Sequence, residues 1–197
     1  MFVNWPERFF CNSPVRRFLQ ARQVRQWLGM RRPTQGSDVL EIGCGNGAGA
    51  RLILDHFRPR SLTALDPDPD MLRLARKRLA GTIATVVEGD AQRLPWEDAS
   101  FDAVVNFGIV HHLEDWRAGL GEVARVLRPG GAFYIEEIFP DLYASPFWRH
   151  VVAHPVHDRF RAPEFKAELD RLGLALLPGY HESRLTMLGV AVKKEDA

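Results

Sequence analysis

The chain has 197 residues, of which 46% are apolar, and a formal net charge of +1. This length and composition predict one folded domain with a full hydrophobic core and exclude a disordered chain. The two cysteines cannot build a disulfide framework, no apolar run could span a membrane, and the N-terminus lacks a secretory signal pattern. We therefore expect a soluble, cytoplasmic protein.

The first 33 residues form a basic segment that we predict to contain an amphipathic helix and part of a lid. They hold seven arginines and one acid, Glu7. Ser13 followed by Pro14 is typical of a helix start, and Gly29 of a helix end. Apolar residues with helical spacing lie between them: Val15, Phe18, Leu19, Trp27 and Leu28. The charge fits a helix packed on an acidic core, or a contact with nucleic acid or a membrane.

From residue 37 the sequence alternates between strand and helix patterns. Strands are predicted at 37–42, 61–65, 82–87, 102–107 and 131–138. Helices are predicted at 47–57, 68–81, 115–127 and 163–172. Two last strands, at 174–179 and 186–192, fit a closing antiparallel pair. Strands that alternate with helices predict an α/β fold, in which helices cover both faces of a parallel sheet.

Residues 139–161 have no clear helix or strand pattern and contain three prolines. Aromatic residues and histidines are interspersed there: Phe139, Tyr143, Phe147, Trp148, His150, His154 and His157. We interpret this stretch as an insertion that covers a substrate pocket. The histidine spacing would suit a metal site on one helix, but Pro155 interrupts the helix, so we predict no metal site.

A glycine-rich turn in residues 39–49 (VLEIGCGNGAG) joins the first strand to the next helix. Gly43, Gly45 and Gly47 alternate, as expected where a ligand must approach bare backbone. The spacing fits a turn that binds a dinucleotide and equally one that binds S-adenosylmethionine. Glu41 favours the second ligand, because a carboxylate repels a pyrophosphate and attracts an ammonium or sulfonium group. Cys44 fits as a small filler or as a thiol near the ligand.

Polar residues end four of the predicted strands, at the edge of the sheet where such folds bind ligands. Besides Glu41 and Asn106, these are Asp66 and Asp90. Asp66 is placed to bond two ribose hydroxyls, because it follows the glycine turn by a little over twenty residues. Asp90 can accept a hydrogen bond from an adenine amino group while the main chain of Ala91 reads a ring nitrogen.

Five stretches carry a family resemblance: 39–49, 64–72, 89–96, 101–113 and 126–131. Together they resemble the class I S-adenosylmethionine-dependent methyltransferases, especially the branch that includes the quinone-ring C-methyltransferases. The resemblance implies a Rossmann-like three-layer sandwich in residues 34–197, with a seven-stranded, mostly parallel sheet whose last strand is antiparallel. It implies S-adenosyl-L-methionine as the cofactor. The resemblance weakens outside 37–138, and Trp96 stands where many relatives have phenylalanine.

The strand-end argument and the resemblance together assign ten residues to the cofactor: Glu41, Gly43, Cys44, Gly45, Asp66, Pro67, Met71, Asp90, Ala91 and Asn106. In the family, the residues at the positions of Pro67 and Met71 usually flank the adenine. The regions that would select the methyl acceptor lie outside the matching stretches. The resemblance therefore names the cofactor and leaves the acceptor open.

Methyl transfer requires mainly that donor and acceptor be held in line, and a base only if the acceptor carries a proton. The candidate catalytic residues are His111 and His112, which follow the fourth strand, and Glu137, which lies near the end of the fifth. We expect a small-molecule methyl acceptor. The alternatives are an RNA or protein acceptor, which only the basic N-terminus supports, a non-catalytic S-adenosylmethionine-binding regulator, and a nicotinamide-dependent reductase.

Overall fold

The computed structural model describes residues 13–143 and 159–195. The helices are α1 (Pro14–Met30), α2 (Ala48–Phe57), α3 (Pro69–Leu79), α4 (Trp116–Val126), α5 (Pro140–Tyr143) and α6 (Ala162–Arg171). The strands are β1 (Asp38–Ile42), β2 (Ser61–Asp66), β3 (Ala84–Glu88), β4 (Phe101–Phe107), β5 (Leu127–Ile138), β6 (Leu174–Leu176), β7 (His181–Glu182) and β8 (Thr186–Lys193). A short 3₁₀ helix, Val110–His112, follows β4.

The strands form one sheet in the order β3-β2-β1-β4-β5-β8-β6, with the two-residue β7 paired to β8. The pairs among β1 to β5 are parallel, whereas β8 is antiparallel to both β5 and β6. This confirms the predicted α/β fold with a mostly parallel sheet and an antiparallel last strand. The strand order reverses between β1 and β4, which is where sheets of this kind bind ligands.

Both faces of the sheet are buried, and β1 shows how. Leu40 and Ile42 join the apolar cluster shared with α4 and α6. Val39 joins the cluster on the other face, shared with α1, α2 and α3. Since alternate strand residues point to opposite faces, Glu41 lies on the side of Val39 and is carried into the protein interior.

The predicted element boundaries agree with the structure to within a few residues. Ser13, Asp68 and Asp115 cap the helices that follow them, each accepting a main-chain N–H with its side chain. The largest differences concern β5, which begins at Leu127 instead of 131, and β6, which is only three residues long. The predicted closing pair forms, but β8 is inserted between β5 and β6.

The first half of α1 buries polar side chains and exposes apolar ones. Val15 and Phe18 are exposed, whereas Arg16 and Gln20 are buried. The predicted helix forms, and its apolar residues are divided between its exposed and buried sides. The second half fits, because Trp27 is fully buried and its indole N–H donates to the carbonyl of Ile135 at 3.1 Å. The division of the chain into an N-terminal segment, residues 1–33, and a methyltransferase domain, residues 34–197, stays a prediction.

Some predictions lie outside the described residues. These concern the aromatic part of the lid in residues 1–12 and most of the proposed cover, with Phe147, Trp148, His150, His154 and His157. In the part of the chain that is described, no helix combines the length and the apolar character needed to cross a membrane.

Candidate functional site

The glycine turn after β1 has the backbone that its sequence predicts. Gly43, Gly45 and Gly47 all have positive φ, at 68°, 51° and 78°. A Cβ at Gly43 would collide with the side chain of Ile109, whereas a Cβ at Gly45 would have no atom within 4 Å. The backbone at Gly45 therefore borders open space, and its conformation favours a residue without a side chain.

Cys44 anchors this turn to the sheet. Its N–H donates to the carbonyl of Leu65 in β2 at 2.8 Å, and its own carbonyl accepts from Gly47 at 2.9 Å. Burial beside Glu41 and Asp66 raises the pKa of the Cys44 thiol far above its usual value. The thiol is therefore protonated at neutral pH and acts as a small apolar filler, not as a nucleophile.

Glu41 is a buried acid, only 1% exposed. Its Oε2 atom has no hydrogen-bond partner among the described residues, and no basic side chain forms an ion pair with it there. Burial and the nearby charge of Asp66 raise the pKa of Glu41 well above its ordinary value. An acid in this state is costly in the free protein and attracts a cationic ligand.

Asp66 ends β2 directly beside the glycine turn. Its Oδ2 accepts from the N–H of Gly45 at 2.8 Å, and its Oδ1 accepts from the N–H of Asp68 at 2.9 Å. Burial raises the pKa of Asp66, although these two donors oppose the shift. Each carboxylate oxygen can accept a second hydrogen bond, so Asp66 has the capacity to bind two hydroxyl groups.

The residues predicted around an adenine lie on neighbouring turns. Pro67 and Met71 are half-buried at the start of α3. The N–H of Gly89 donates to the carbonyl of Asp66 at 3.2 Å, which ties the turn carrying Asp90 to the end of β2. Asp90 is exposed and accepts from the main chain and side chain of Gln92, while Ala91 is buried in the core.

Asn106, at the end of β4, is fully buried and its amide is engaged with protein groups. Its Nδ2 donates to the carbonyl of Glu136 and to Oε2 of Glu137, both at 2.9 Å. Its Oδ1 accepts from the N–H of Ile109 at 2.8 Å. These contacts position Glu137 and the turn after β4, and the contact of Asn106 with a cofactor stays a prediction.

The candidate catalytic residues His111 and Glu137 form a buried pair. The Nδ1 atom of His111 is hydrogen-bonded to Oε1 of Glu137, and the two side chains are 3% and 0% exposed. Glu137 also accepts from the N–H of Val110 at 3.2 Å and of Ile138 at 3.0 Å. The ring of His112 lies 4.2 Å from that of His111 between centroids and is half-buried.

Burial sets the protonation of this pair. It lowers the pKa of His111 well below its usual value, with the charge of His112 acting in the same direction. It also raises the pKa of Glu137 to about 7. Because three N–H groups already face the Glu137 carboxylate, we place the shared proton on Nδ1 of His111. The imidazole is then neutral, with its lone pair on Nε2.

A second buried pair at the same edge was not predicted from the sequence. Arg16 donates to both carboxylate oxygens of Glu136, at 2.7 and 2.6 Å, and to the carbonyl of Phe107 at 2.9 Å. These contacts join α1 to the ends of β4 and β5. Arg16 and Glu136 are 120 residues apart in the sequence. No local pattern marks such a contact, although the parallel register of Phe107 with Glu136 would place the acid at this edge.

The chain is similar in sequence to known methyltransferases. Residues 40–135 match a family model described as "Methyltransferase domain". The fatty-acid O-methyltransferase of Mycolicibacterium smegmatis is 42% identical over 119 residues, which are 60% of this chain and 43% of that protein. The phthiotriol/phenolphthiotriol dimycocerosates methyltransferase of Mycobacterium tuberculosis is 37% identical over 121 residues, or 61% and 45% of the two chains. This chain thus spans less than half the length of these relatives.

Solved structures show the same fold. An S-adenosylmethionine dependent methyltransferase from Mesorhizobium loti superposes with a TM-score of 0.71 at 20% identity, covering 85% of this chain and 96% of that one. Family and fold together imply the use of S-adenosylmethionine. The chain therefore contains a methyltransferase domain at residues 40–135 and has the fold of solved S-adenosylmethionine-dependent methyltransferases.

Proposed function

We propose that this protein transfers a methyl group from S-adenosylmethionine to a hydroxyl oxygen of a small, lipid-like acceptor. The observation that carries the proposal is the buried Glu41 carboxylate, which has no counter-ion among the described residues and lies beside the bare backbone of Gly45 and the carboxylate of Asp66. A pyrophosphate would be repelled by this pair of acids, which disfavours the reductase alternative.

The described residues fit this cofactor. The orphaned Oε2 of Glu41 suits a cationic group, the open space at Gly45 admits a ligand to the main chain, and Asp66 can accept from ribose hydroxyls. Pro67 and Met71 would then flank the adenine, and the turn with Asp90 would bond its edge. When bound, the cofactor supplies a methyl group on a positively charged sulfur, which is already activated for transfer.

His111 and Glu137 would handle the proton of the acceptor. A hydroxyl group must lose its proton as its oxygen is methylated, and the neutral imidazole can accept that proton at Nε2. Glu137 then stabilises the resulting imidazolium, because the two groups are in direct contact. A carboxylic acid acceptor is ionised at neutral pH and needs no base. The buried pair therefore favours a hydroxyl over a carboxylate.

The names of the relatives support a lipid-like acceptor. One is a fatty-acid O-methyltransferase and the other acts on phthiotriol and phenolphthiotriol dimycocerosates. Identity to them extends over about three fifths of this chain, so the comparison supports the class of acceptor and not an individual molecule.

The test is methyl transfer from methyl-labelled cofactor to a panel of acceptors. The panel contains hydroxylated lipids, fatty acids, quinols, bulk RNA and a protein extract, and Asp66→Ala serves as a control with weakened cofactor binding. We expect label in hydroxylated lipids. Label confined to RNA or protein would favour the macromolecular alternative. Tight cofactor binding with transfer to none of these classes would favour the regulator, and binding of a dinucleotide instead of the cofactor would overturn the proposal.

A further inference from the structure

We propose that the outer face of α1 is a docking surface for membranes with anionic headgroups. This outer face consists of Val15, Phe18, Leu19, Arg22 and Arg25. The spacing of these residues places them on one side of the helix. Val15, Phe18 and Leu19 are 61%, 66% and 39% exposed, and both arginines are exposed as well.

The opposite face of α1 fixes which side points outward. Arg16, Gln20, Val24 and Trp27 are buried at intervals of three and four residues. Arg16 is held by the two oxygens of Glu136, and Trp27 by the carbonyl of Ile135. Turning the helix to bury the apolar side chains of the outer face would break both contacts. Their exposure is therefore built into the packing of α1.

The charge of the helix selects the occupant. The sequence of α1 contains four arginines and no acid, and Arg22 and Arg25 lie on the same side as the exposed apolar residues. Exposed aromatic and aliphatic side chains next to arginines suit the headgroup region of an anionic bilayer, where the apolar groups are buried and the arginines meet anionic lipids. RNA would use the arginines and leave Phe18 without a role.

A second copy of the chain is a poorer occupant for the same surface. A symmetric contact would set Arg22 and Arg25 against their own counterparts, and like charges repel. Three apolar side chains also offer far less buried area than a stable protein interface requires.

Docking through this face would hold the candidate site near the membrane, with α1 between the two. Arg16, next to Val15, reaches the carboxyl ends of β4 and β5, where it bonds Glu136 and the carbonyl of Phe107. The charges of Arg16 and Glu136 both act on His111, so the site lies close to the start of α1. Delivery of a lipid acceptor from the membrane rests on the proposed function, whereas membrane binding itself does not.

The experiment is vesicle flotation of the full chain without cofactor or acceptor. Vesicles of phosphatidylcholine alone are compared with vesicles that also contain phosphatidylglycerol, at low and high salt. We expect binding only to the anionic vesicles, weakened by salt. Phe18→Ser with Leu19→Ser should reduce binding at least about tenfold, and Arg22→Glu with Arg25→Glu should do the same.

Matched controls carry the same changes on exposed residues elsewhere. Leu74→Ser with Ile83→Ser replaces side chains that are 41% and 53% exposed. Arg73→Glu with Lys77→Glu makes the same charge change on α3. Both control pairs should bind vesicles like the unaltered protein. Circular dichroism checks that every variant is folded, which is expected because all the altered residues are exposed.

Several results would overturn the proposal. These are no binding to anionic vesicles, equal loss in the test and control pairs, or displacement of the protein from vesicles by RNA. A change of oligomeric state in the Phe18 and Leu19 variant without a change in vesicle binding would assign the face to a second copy. Vesicle binding that appears only after removal of residues 1–12 would mean that this segment, and not a membrane, is the occupant of the outer face. A failure of this kind leaves the methyl-transfer test untouched.

Discussion

At the amino ends of the parallel strands, which form the amino edge of the sheet, acids are paired with arginines. At the carboxyl ends, which form the carboxyl edge, most acids are not. Asp38, at the start of β1, is bonded by Arg60 and Arg128, and Arg128 also contacts Asp102 at 2.8 Å. At the other end of the same strand, Glu41 has no ion-pair partner in the described part of the chain. The two acids are separated by two residues and lie in opposite electrostatic surroundings.

The pKa values follow this division. The hydrogen bond from Arg60 lowers the pKa of Asp38 to about 2, whereas burial raises the pKa of Glu41, Asp66 and Glu137. Acids that are paired with arginines, such as Asp38, stabilise the fold when they are ionised. Acids whose pKa is raised by burial weaken the free protein and are retained where a ligand or a proton transfer uses them. Glu136 is the exception, because it lies at the carboxyl edge and is paired with Arg16.

The largest expected effect tests that exception. Arg16→Ala removes the ion-pair partner that the described residues give to the buried Glu136 carboxylate. It should lower the free energy of unfolding by about 3–5 kcal/mol, as measured by urea denaturation. Arg16→Met combined with Glu136→Leu removes both charges and should recover most of the loss. Arg17→Ala, at an exposed neighbour, should change stability by less than about 0.5 kcal/mol. A small effect of Arg16→Ala would show that Glu136 belongs with the unpaired acids.

The next effect concerns catalysis at the carboxyl edge. His111→Ala should lower kcat for a hydroxyl acceptor by about 10²- to 10³-fold, because the proton of the acceptor loses its base. The rate with a carboxylate acceptor should change little. His112→Ala is the control and should leave the ratio of the two rates unchanged. Equal losses for both acceptors would assign His111 to packing.

Cofactor affinity gives the third effect. Asp66→Ala should weaken binding of S-adenosylmethionine by about 1.5–3 kcal/mol in titration calorimetry, since it removes hydrogen bonds to a charged acceptor. Asp68→Ala is the matched control, because Asp68 caps α3 with its side chain. That change should cost about 1 kcal/mol of stability and leave the affinity unaltered. Unchanged affinity in Asp66→Ala would remove Asp66 from the site.

Local patterns in the sequence predicted the elements and one edge of the site, and missed the contacts between distant segments. The capping by Asp68 and the glycine conformations follow from short-range rules, so they were predictable. His111 and Glu137 were predicted separately, but their pairing depends on how β4 and β5 lie side by side. The exposure of Phe18 could not be predicted from the sequence, because it depends on the ion pair of Arg16 with Glu136, 120 residues away, on the other side of α1.

Glu41 gives a pH-dependent prediction with two opposite readouts. Its raised pKa means that the folded protein retains this proton above the pH at which an unfolded chain loses it, so the stability that Glu41 contributes decreases as pH rises. Glu41→Gln should therefore make the free protein relatively more stable at high pH in thermal unfolding. It should also weaken cofactor binding by about 2 kcal/mol and flatten the rise of affinity with pH. Affinity with the same pH slope in both proteins would contradict a cationic partner for Glu41.

The smallest effect tests the paired edge. The lowered pKa of Asp38 means that its ionised form stabilises the fold above the ordinary value of 3.8, and that this contribution is lost as pH falls toward about 2. Because Arg60 is 68% exposed and screened by solvent, Asp38→Asn should cost only about 1 kcal/mol near neutral pH. Asp55→Asn, in an exposed pair with Arg51, should cost less than about 0.5 kcal/mol. Urea denaturation from neutral pH downward should show the gap between Asp38→Asn and the unaltered protein closing in acid and shrinking in high salt. A gap that persists in acid would mean that Asp38 acts through packing, and the contrast between the two edges would then not be electrostatic.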